Sequence, residues 1–220
     1  MKTVAVILPV NNPNIVTQAD LNPHNTNKIQ FVLHYVHTDL KELNTLEQAD
    51  SVLKLMLNKA NQRSKAGDAA IIVYSFGEFG IAELTHLNIP IMALGTEAVK
   101  QASQKAENKF TIISGCLSHN DYWPALLEST QTSHNYVKTS TAPEISPAEI
   151  RKNQHLIKKL LTIAEHEITN QNVDSFTLGC GSFIGAAAPL QKKLREKYGN
   201  AITVIDPVTV TFEKLKREIA

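Results

Sequence analysis

The chain has 220 residues, 43% of them hydrophobic and 20% charged, a balance that buries on the order of 70% of the unfolded surface and excludes disorder as the main state. Twenty-two Lys and Arg against 21 Asp and Glu leave a net charge of +1, which excludes the strongly basic footprint of a nucleic-acid binder and suits a small, roughly neutral partner. Two cysteines exclude a disulfide framework and fit a reducing, cytoplasmic setting, and no apolar run reaches the ~18 residues of a membrane span.

Taken in chain order, the elements predict an α/β fold. VAVILPV (4–10) is short for a signal peptide, and NNPN follows where small residues would mark a cleavage site, so it reads as the first strand. QFVLHYV (30–36) is the second, and Thr45 with Gln48 three positions on marks the start of a helix. AAIIVYSF (69–76), IPIMAL (89–94) and FTII (110–113) are further strands. The stretch from about Gln131 to Pro147, rich in Ser, Thr and Pro, reads as a long loop able to fold over a site. Ser146-Pro147 with Glu149 then opens a helix to about Asn170, with Ile150, Leu156, Ile157, Leu160, Leu161, Ala164 and Ile168 on one buried stripe. SFTLG (175–179) and ITVID (202–206) complete the strands, and Asp206 could hydrogen-bond near a cleft or, before Pro207, cap a final helix. Short β-branched runs alternating with helices imply parallel sheets flanked by helices.

The chain also resembles itself. GDAAIIVYSFGEFG, a helix and IPIMALGTEAV parallel NVDSFTLGCGSFIG, a helix and ITVIDPVTV. In each copy an acid, Asp68 or Asp174, precedes a strand that ends in a small polar residue, Ser75 or Cys180, followed by glycines. Such a repeat predicts two similar Rossmann-like lobes with parallel sheets, related by pseudo-two-fold symmetry, whose strand ends face one another across a cleft. The first lobe is expected to comprise residues 1–96 and 207–220, the second residues 97–206.

In open α/β sheets ligands bind beyond the carboxyl ends of the strands, where helix N-termini present unpaired N–H groups. Ser75 and Cys180 sit at such ends, and the amides of Phe76, Gly77, Gly181 and Ser182 are placed to hold a carboxylate or a developing enolate. A helix dipole there would favour the thiolate of Cys180 and make it a base. The competing reading is a cysteine packed as a small hydrophobe.

VYSFGEFG with IPIMALGTEAV, and TLGCGSFIGAAAPL with ITVIDPV, resemble the two half-site motifs of the aspartate/glutamate/hydantoin racemase superfamily, most closely its hydantoin-racemase branch. The resemblance implies a pseudo-symmetric two-lobed α/β fold with neither cofactor nor metal, acting on a small amino-acid, hydantoin or related carboxylate substrate. In the family's racemases a cysteine from each lobe flanks the substrate's α-carbon, one removing a proton and the other returning one. Cys180 matches the second of these, and Ser75 stands where the first belongs. A hydroxyl is far less acidic than a thiol, so three outcomes are open: weak racemisation with Ser75 as donor, one-thiol chemistry like that of the superfamily's single-cysteine decarboxylases, or a ligand-binding homologue. At strand 1 the branch carries Asn-Pro-Asn, whereas this chain reads Leu8-Pro9-Val10 and then Asn11-Asn12; Asn11 is the candidate contact, against a simple turn. Ser114 and Gly115 resemble the family's substrate-contacting loop.

Cys116, after IISG, could supply a second thiol, although a Ser-Gly turn with a packed cysteine explains it as well. The spacing of the eight histidines matches no metal-ligand pattern. Asp68 and Asp174 read as turn residues. Neither nucleic acid nor membrane is an expected partner, and homo-oligomerisation is left open.

Overall fold

The computed structural model describes residues 1–43, 45–115, 123–142 and 154–220. Strand β1 (Lys2–Leu8) pairs in parallel with β2 (Ile29–Tyr35) on one side and β3 (Ala70–Val73) on the other, and β4 (Ile91–Ala93) joins β3, giving the order β2-β1-β3-β4. The second sheet takes the same course: β5 (Lys109–Ser114) is flanked by β6 (Tyr136–Thr141) and β7 (Val173–Leu178), and β8 (Thr203–Ile205) joins β7, in the order β6-β5-β7-β8. Each half therefore starts in the interior of its sheet, runs to one edge, and crosses to the other side. The repeat legible in the sequence is the β3-to-β4 and β7-to-β8 portion of this duplication.

Among the described residues, seven α-helices accompany the sheets: α1 (Gln18–Leu21), α2 (Leu46–Lys65), α3 (Gly95–Lys105), α4 (Trp123–Ser129), α5 (Gln154–Gln171), α6 (Ala187–Tyr198) and α7 (Pro207–Ile219). Thr45 caps α2 by accepting from the Gln48 N–H at 3.2 Å. Asp206 caps α7 by accepting from the N–H groups of Val208 and Thr209 at 2.9 and 3.3 Å, with Pro207 in the first turn, where its missing N–H costs nothing. The expected start of α5 at Ser146-Pro147, with Glu149 and Ile150, lies outside the described residues, as does Cys116.

One element differs from the sequence reading. Residues expected to form a long loop after Gln131 include a three-residue 3-10 turn and then β6. This is an edge strand whose side chains are mostly half-buried, so the apolar run that betrays a central strand is missing.

The pleat distributes side chains between three cores. Val4, Val6 and Leu8 of β1 and Ile72 of β3 pack with α3, α7 and, from the other sheet, Phe110 and Ile112 of β5. Ala5, Ile7, Ile71 and Val73 point the other way, onto Met56 and Ala60 of α2. Phe176 and Leu178 of β7 meet Leu160 of α5 and Leu190 and Leu194 of α6. The first core is shared by both sheets, and Phe31 of β2 stacks on Phe212 of α7 with centroids 4.4 Å apart, which ties the last helix to the first sheet. Two acids act as latches, Asp68 before β3 and Asp174, which lies within β7 at its second position and not ahead of the strand as expected: Asp68 accepts two hydrogen bonds from Arg63, and Asp174 accepts from the backbone and side chain of Asn108. No helix among the described residues is long and apolar enough to cross a membrane.

Candidate functional site

Ser75 and Cys180 each lie two residues beyond the third strand of their sheet, after Val73 and Leu178. Both line one cavity of about 110 Å³, room for several water-sized positions and hence for a small organic molecule. The first sheet contributes Leu8, Pro9 and Val10 from the end of β1 and Tyr74 to Gly77 from the end of β3, and the second contributes Gly179 to Ser182. Phe79, Leu43 and Ile15, together with Trp123 of α4, close it with hydrocarbon and ring surface. Phe76 and Trp123 meet edge to face at 5.0 Å and 89°, so the two sides of the cleft share an aromatic wall.

Backbone bonds hold the two strand ends rigidly. The Ser75 N–H donates to Val73 O at 2.8 Å, and the Ser75 carbonyl accepts from Leu94 N at 2.9 Å, which binds the turn to the end of β4. On the other side Phe183 N donates to Cys180 O at 3.1 Å and Ile184 N to Gly181 O at 3.3 Å, closing a short 3-10 turn, Gly181–Phe183. Among the described residues, the N–H groups of Phe76, Gly77, Gly181 and Ser182 find no backbone acceptor. All four residues line the cavity, where such donors suit an anionic or carbonyl oxygen.

Two glycines are dictated by close approach. At Gly181 a Cβ would lie 2.4 Å from Cε1 of Tyr74, and the Tyr74 hydroxyl donates to the Gly181 carbonyl at 3.0 Å. At Gly95 a Cβ would lie 2.0 Å from the Phe76 carbonyl oxygen, so the first turn of α3 presses directly on the loop that carries Ser75. Glu78, in the left-handed region at φ 57, fastens the same loop to α3 by accepting from the backbone and hydroxyl of Thr96. Burial pushes the Glu78 carboxyl up from its ordinary value, and the bonds from Thr96 and the nearby Lys100 ammonium hold it back.

The expected helix dipole at the cysteine is not there. Cys180 precedes only the three-residue turn, and α6 starts at Ala187. Instead the Cys180 Sγ lies 2.7 Å from Oγ of Ser182, a residue 5% exposed.

Cys180, Ser75, Phe76, Gly77, Gly181 and Ser182 come together around the cavity. Asn11, Ser114 and Gly115 do not line it. The carbonyl of Asn11 accepts from Lys41, and the neighbouring Asn12 bonds Lys41 O and Asn14 N, so this asparagine cluster is tied into a turn. Ser114 is buried at the end of β5, and Gly115 sits behind the cysteine, where a Cβ would be 3.8 Å from Sγ. The aromatic residues Tyr74, Phe79 and Trp123 belong to the cavity and were not singled out from the sequence. Aromatics flanking a small polar residue at a strand end, as in VYSFGEF, were the available signal. No cluster of three His, Cys, Asp or Glu side chains suited to a metal occurs among the described residues.

The fold has counterparts among solved structures. Allantoin racemase from Klebsiella pneumoniae superposes with a TM-score of 0.85 at 15% identity, over 99% of this chain and 87% of its own. Glutamate racemase from Bacillus anthracis gives 0.64 at 16% identity over 99% and 81%, and unliganded arylmalonate decarboxylase gives 0.67 at 13% over 100% and 93%. At such identities the likeness is one of fold. No protein in the curated set matches the sequence significantly. The Asp/Glu/Hydantoin racemase family, in contrast, matches residues 21–215, nearly the full length; with two parallel sheets of the same strand order, the chain belongs to that family.

Proposed function

We propose that the protein exchanges the α-proton of a small carbon acid, an amino acid, a hydantoin or a related carboxylate, on the Cys180 thiol and without a cofactor. The observation that carries this reading is that Cys180 and Ser75, at equivalent ends of the two sheets, line the same cavity. The Cys180 thiolate takes the α-proton and becomes a thiol, and the electron pair left on carbon moves onto the substrate's carbonyl oxygen. The N–H groups of Phe76, Gly77, Gly181 and Ser182 receive that oxygen, a service worth about 2.7–4 kcal/mol per donor where such groups have been removed from enzymes. A proton returned from the opposite face, by Ser75, completes inversion. The lobes of this reading are residues 1–96 with 207–220, and residues 97–206; the stacking of Phe31 on Phe212 supports giving the last helix to the first lobe.

The walls favour a substrate whose α-substituent is apolar. Phe76, Phe79, Trp123, Leu43 and Val10 surround it, and a charged substituent buried among them without a partner would cost several kcal/mol. The test is proton exchange in heavy water with a panel of enantiopure amino acids and 5-substituted hydantoins, followed by NMR. Deuterium enters the α-position with the native chain and not with Cys180→Ala. Exchange that survives Cys180→Ala overturns the reading.

The hydroxyl at position 75 favours a second reading, a single-thiol decarboxylase in which the thiol of Cys180 protonates the enediolate left when carbon dioxide departs. Carbon dioxide release from substituted malonates, lost in Cys180→Ala, distinguishes it.

A further inference from the structure

An anionic sulfur near neutral pH needs local stabilisation, and the helix terminus that often provides it is absent here. Cys180 faces a turn of three residues, too short for aligned peptide dipoles to sum to an appreciable field. Among the described residues that line the cavity, none carries a positive side chain. Of the described lining residues, Tyr74 is also titratable and directs its hydroxyl at Gly181 O, and Glu78, one position beyond Gly77, is engaged by Thr96. Among the described residues, the Ser182 hydroxyl lies beside the sulfur, 2.7 Å away, on a residue largely shielded from competing water.

We propose that Ser182 is a positioning residue that donates its hydroxyl hydrogen to Cys180, and thereby both favours the thiolate and aims it into the cavity. The inference rests on the reading of Cys180 as the proton-exchanging group. Its physical basis is an asymmetry between the two states of the sulfur. A neutral thiol and a hydroxyl can each donate to the other, whereas an ionised sulfur has no hydrogen and only Ser182 can donate. A hydrogen bond to an ionised acceptor is stronger than one between neutral groups, so the contact stabilises thiolate over thiol. During turnover the α-proton moves from substrate carbon to sulfur and later leaves again, while the serine keeps its own hydrogen throughout.

The geometry gives the pair little freedom. The bond from Phe183 N to Cys180 O closes the turn that contains both residues. Gly115 lies on the other side of the sulfur, where a Cβ would make ordinary contact with Sγ at 3.8 Å and a tight one with Cζ of Phe183 at 3.3 Å, so backbone and the Phe183 ring back the cysteine there. Serine at this position acts through the cysteine and not on the substrate, and that separates its role from the one its backbone N–H can play.

The test is the pH dependence of Cys180 alkylation by iodoacetamide on the full chain, followed by mass spectrometry of the peptide so that Cys116 is counted separately. The parent is compared with Ser182→Ala, Ser182→Val and Ser182→Thr. The alanine and valine variants are expected to alkylate about tenfold more slowly below their midpoint, which moves to higher pH, while threonine, isosteric with valine but with the hydroxyl, keeps the parent profile. Profiles that coincide for parent, alanine and valine overturn the proposal, as does a threonine profile that follows valine. The valine and threonine pair separates hydroxyl from volume even if the alanine variant does not fold. A displaced valine profile in a protein that exchanges no substrate proton keeps Ser182 and removes the carbon-acid reading; proton exchange with coincident profiles does the reverse.

Discussion

The hydroxyl of Tyr74 donates to the carbonyl of Gly181 at 3.0 Å, joining the residue before Ser75 to the residue after Cys180. This single bond crosses from one sheet's strand end to the other's, and the tyrosine ring fills the space that a side chain at 181 would need. Tyr74→Phe should cost about 0.5–1.5 kcal/mol of stability by losing the bond, and Gly181→Ala about 1–3 kcal/mol by displacing the ring. Urea unfolding measures both, and a Gly181→Ala midpoint at or above the parent's would show that the ring is not held as described.

Replacing the hydroxyl opposite the thiol tests the two-sided arrangement directly. Ser75→Cys is expected to raise the rate of racemisation by about 10²-fold, the lower end of the 10²–10⁴ range of general acid–base contributions, because a thiol gives up and accepts protons near neutral pH far more readily. Polarimetry on an enantiopure substrate that the native chain exchanges is the measurement. An unchanged rate would mean that residue 75 does not face the reacting carbon.

Gly95→Ala should be more damaging than a glycine-to-alanine change within a helix, where propensity alone would favour alanine by up to ~1 kcal/mol. Here the new methyl meets the carbonyl oxygen of Phe76 at 2.0 Å, and backbone cannot rotate away as a side chain can. A loss of about 1–3 kcal/mol is expected, a fall of several degrees in melting temperature for a chain of this size, accompanied by reduced turnover as the Ser75 loop shifts.

Glu167 of α5 sets a pH dependence away from the cavity. Burial raises its carboxyl, but Lys138, Ser140 and His166 together bring it below the ordinary value of 4.5. A carboxyl depressed in the folded state adds stability that is complete above the unfolded value of 4.5 and lost as pH falls through the folded one. Acid unfolding of Glu167→Gln should therefore show a flatter decline below pH 4.5 than the parent, and equal slopes would remove the assignment.

Strong periodic signals made most of the fold legible in the sequence. Val4 to Leu8 and Ala70 to Val73 are buried on both faces and announce themselves as continuous apolar runs, whereas the equally buried Val173 to Leu178 carries Asp174, Ser175 and Thr177 and was legible from its Phe-Thr-Leu-Gly end. Strand β6 was hidden because an edge strand with Lys138, Thr139 and Thr141 on it has the composition of a loop. Around the cavity, Ser75 and Cys180 could be found from the glycines beside them. Tyr74 left a signal in the aromatics around Ser75, but its bond to Gly181 and the place of Trp123 depend on distances between segments far apart in the chain, and the Ser182 contact depends on the local turn geometry. The dipole expected at Cys180 failed for a local reason: Gly185 at φ 78 and the residues around it delay the helix to Ala187.

Because β3 and β7 hold the same rank in their sheets, Ser75 and Cys180 are opposite numbers across the cavity. Ser75→Cys combined with Cys180→Ser would exchange the sulfur and the hydroxyl while leaving the apolar lining where it is. A planar intermediate formed from a symmetric precursor would then meet its proton donor from the other side, and the double variant should yield the mirror-image product.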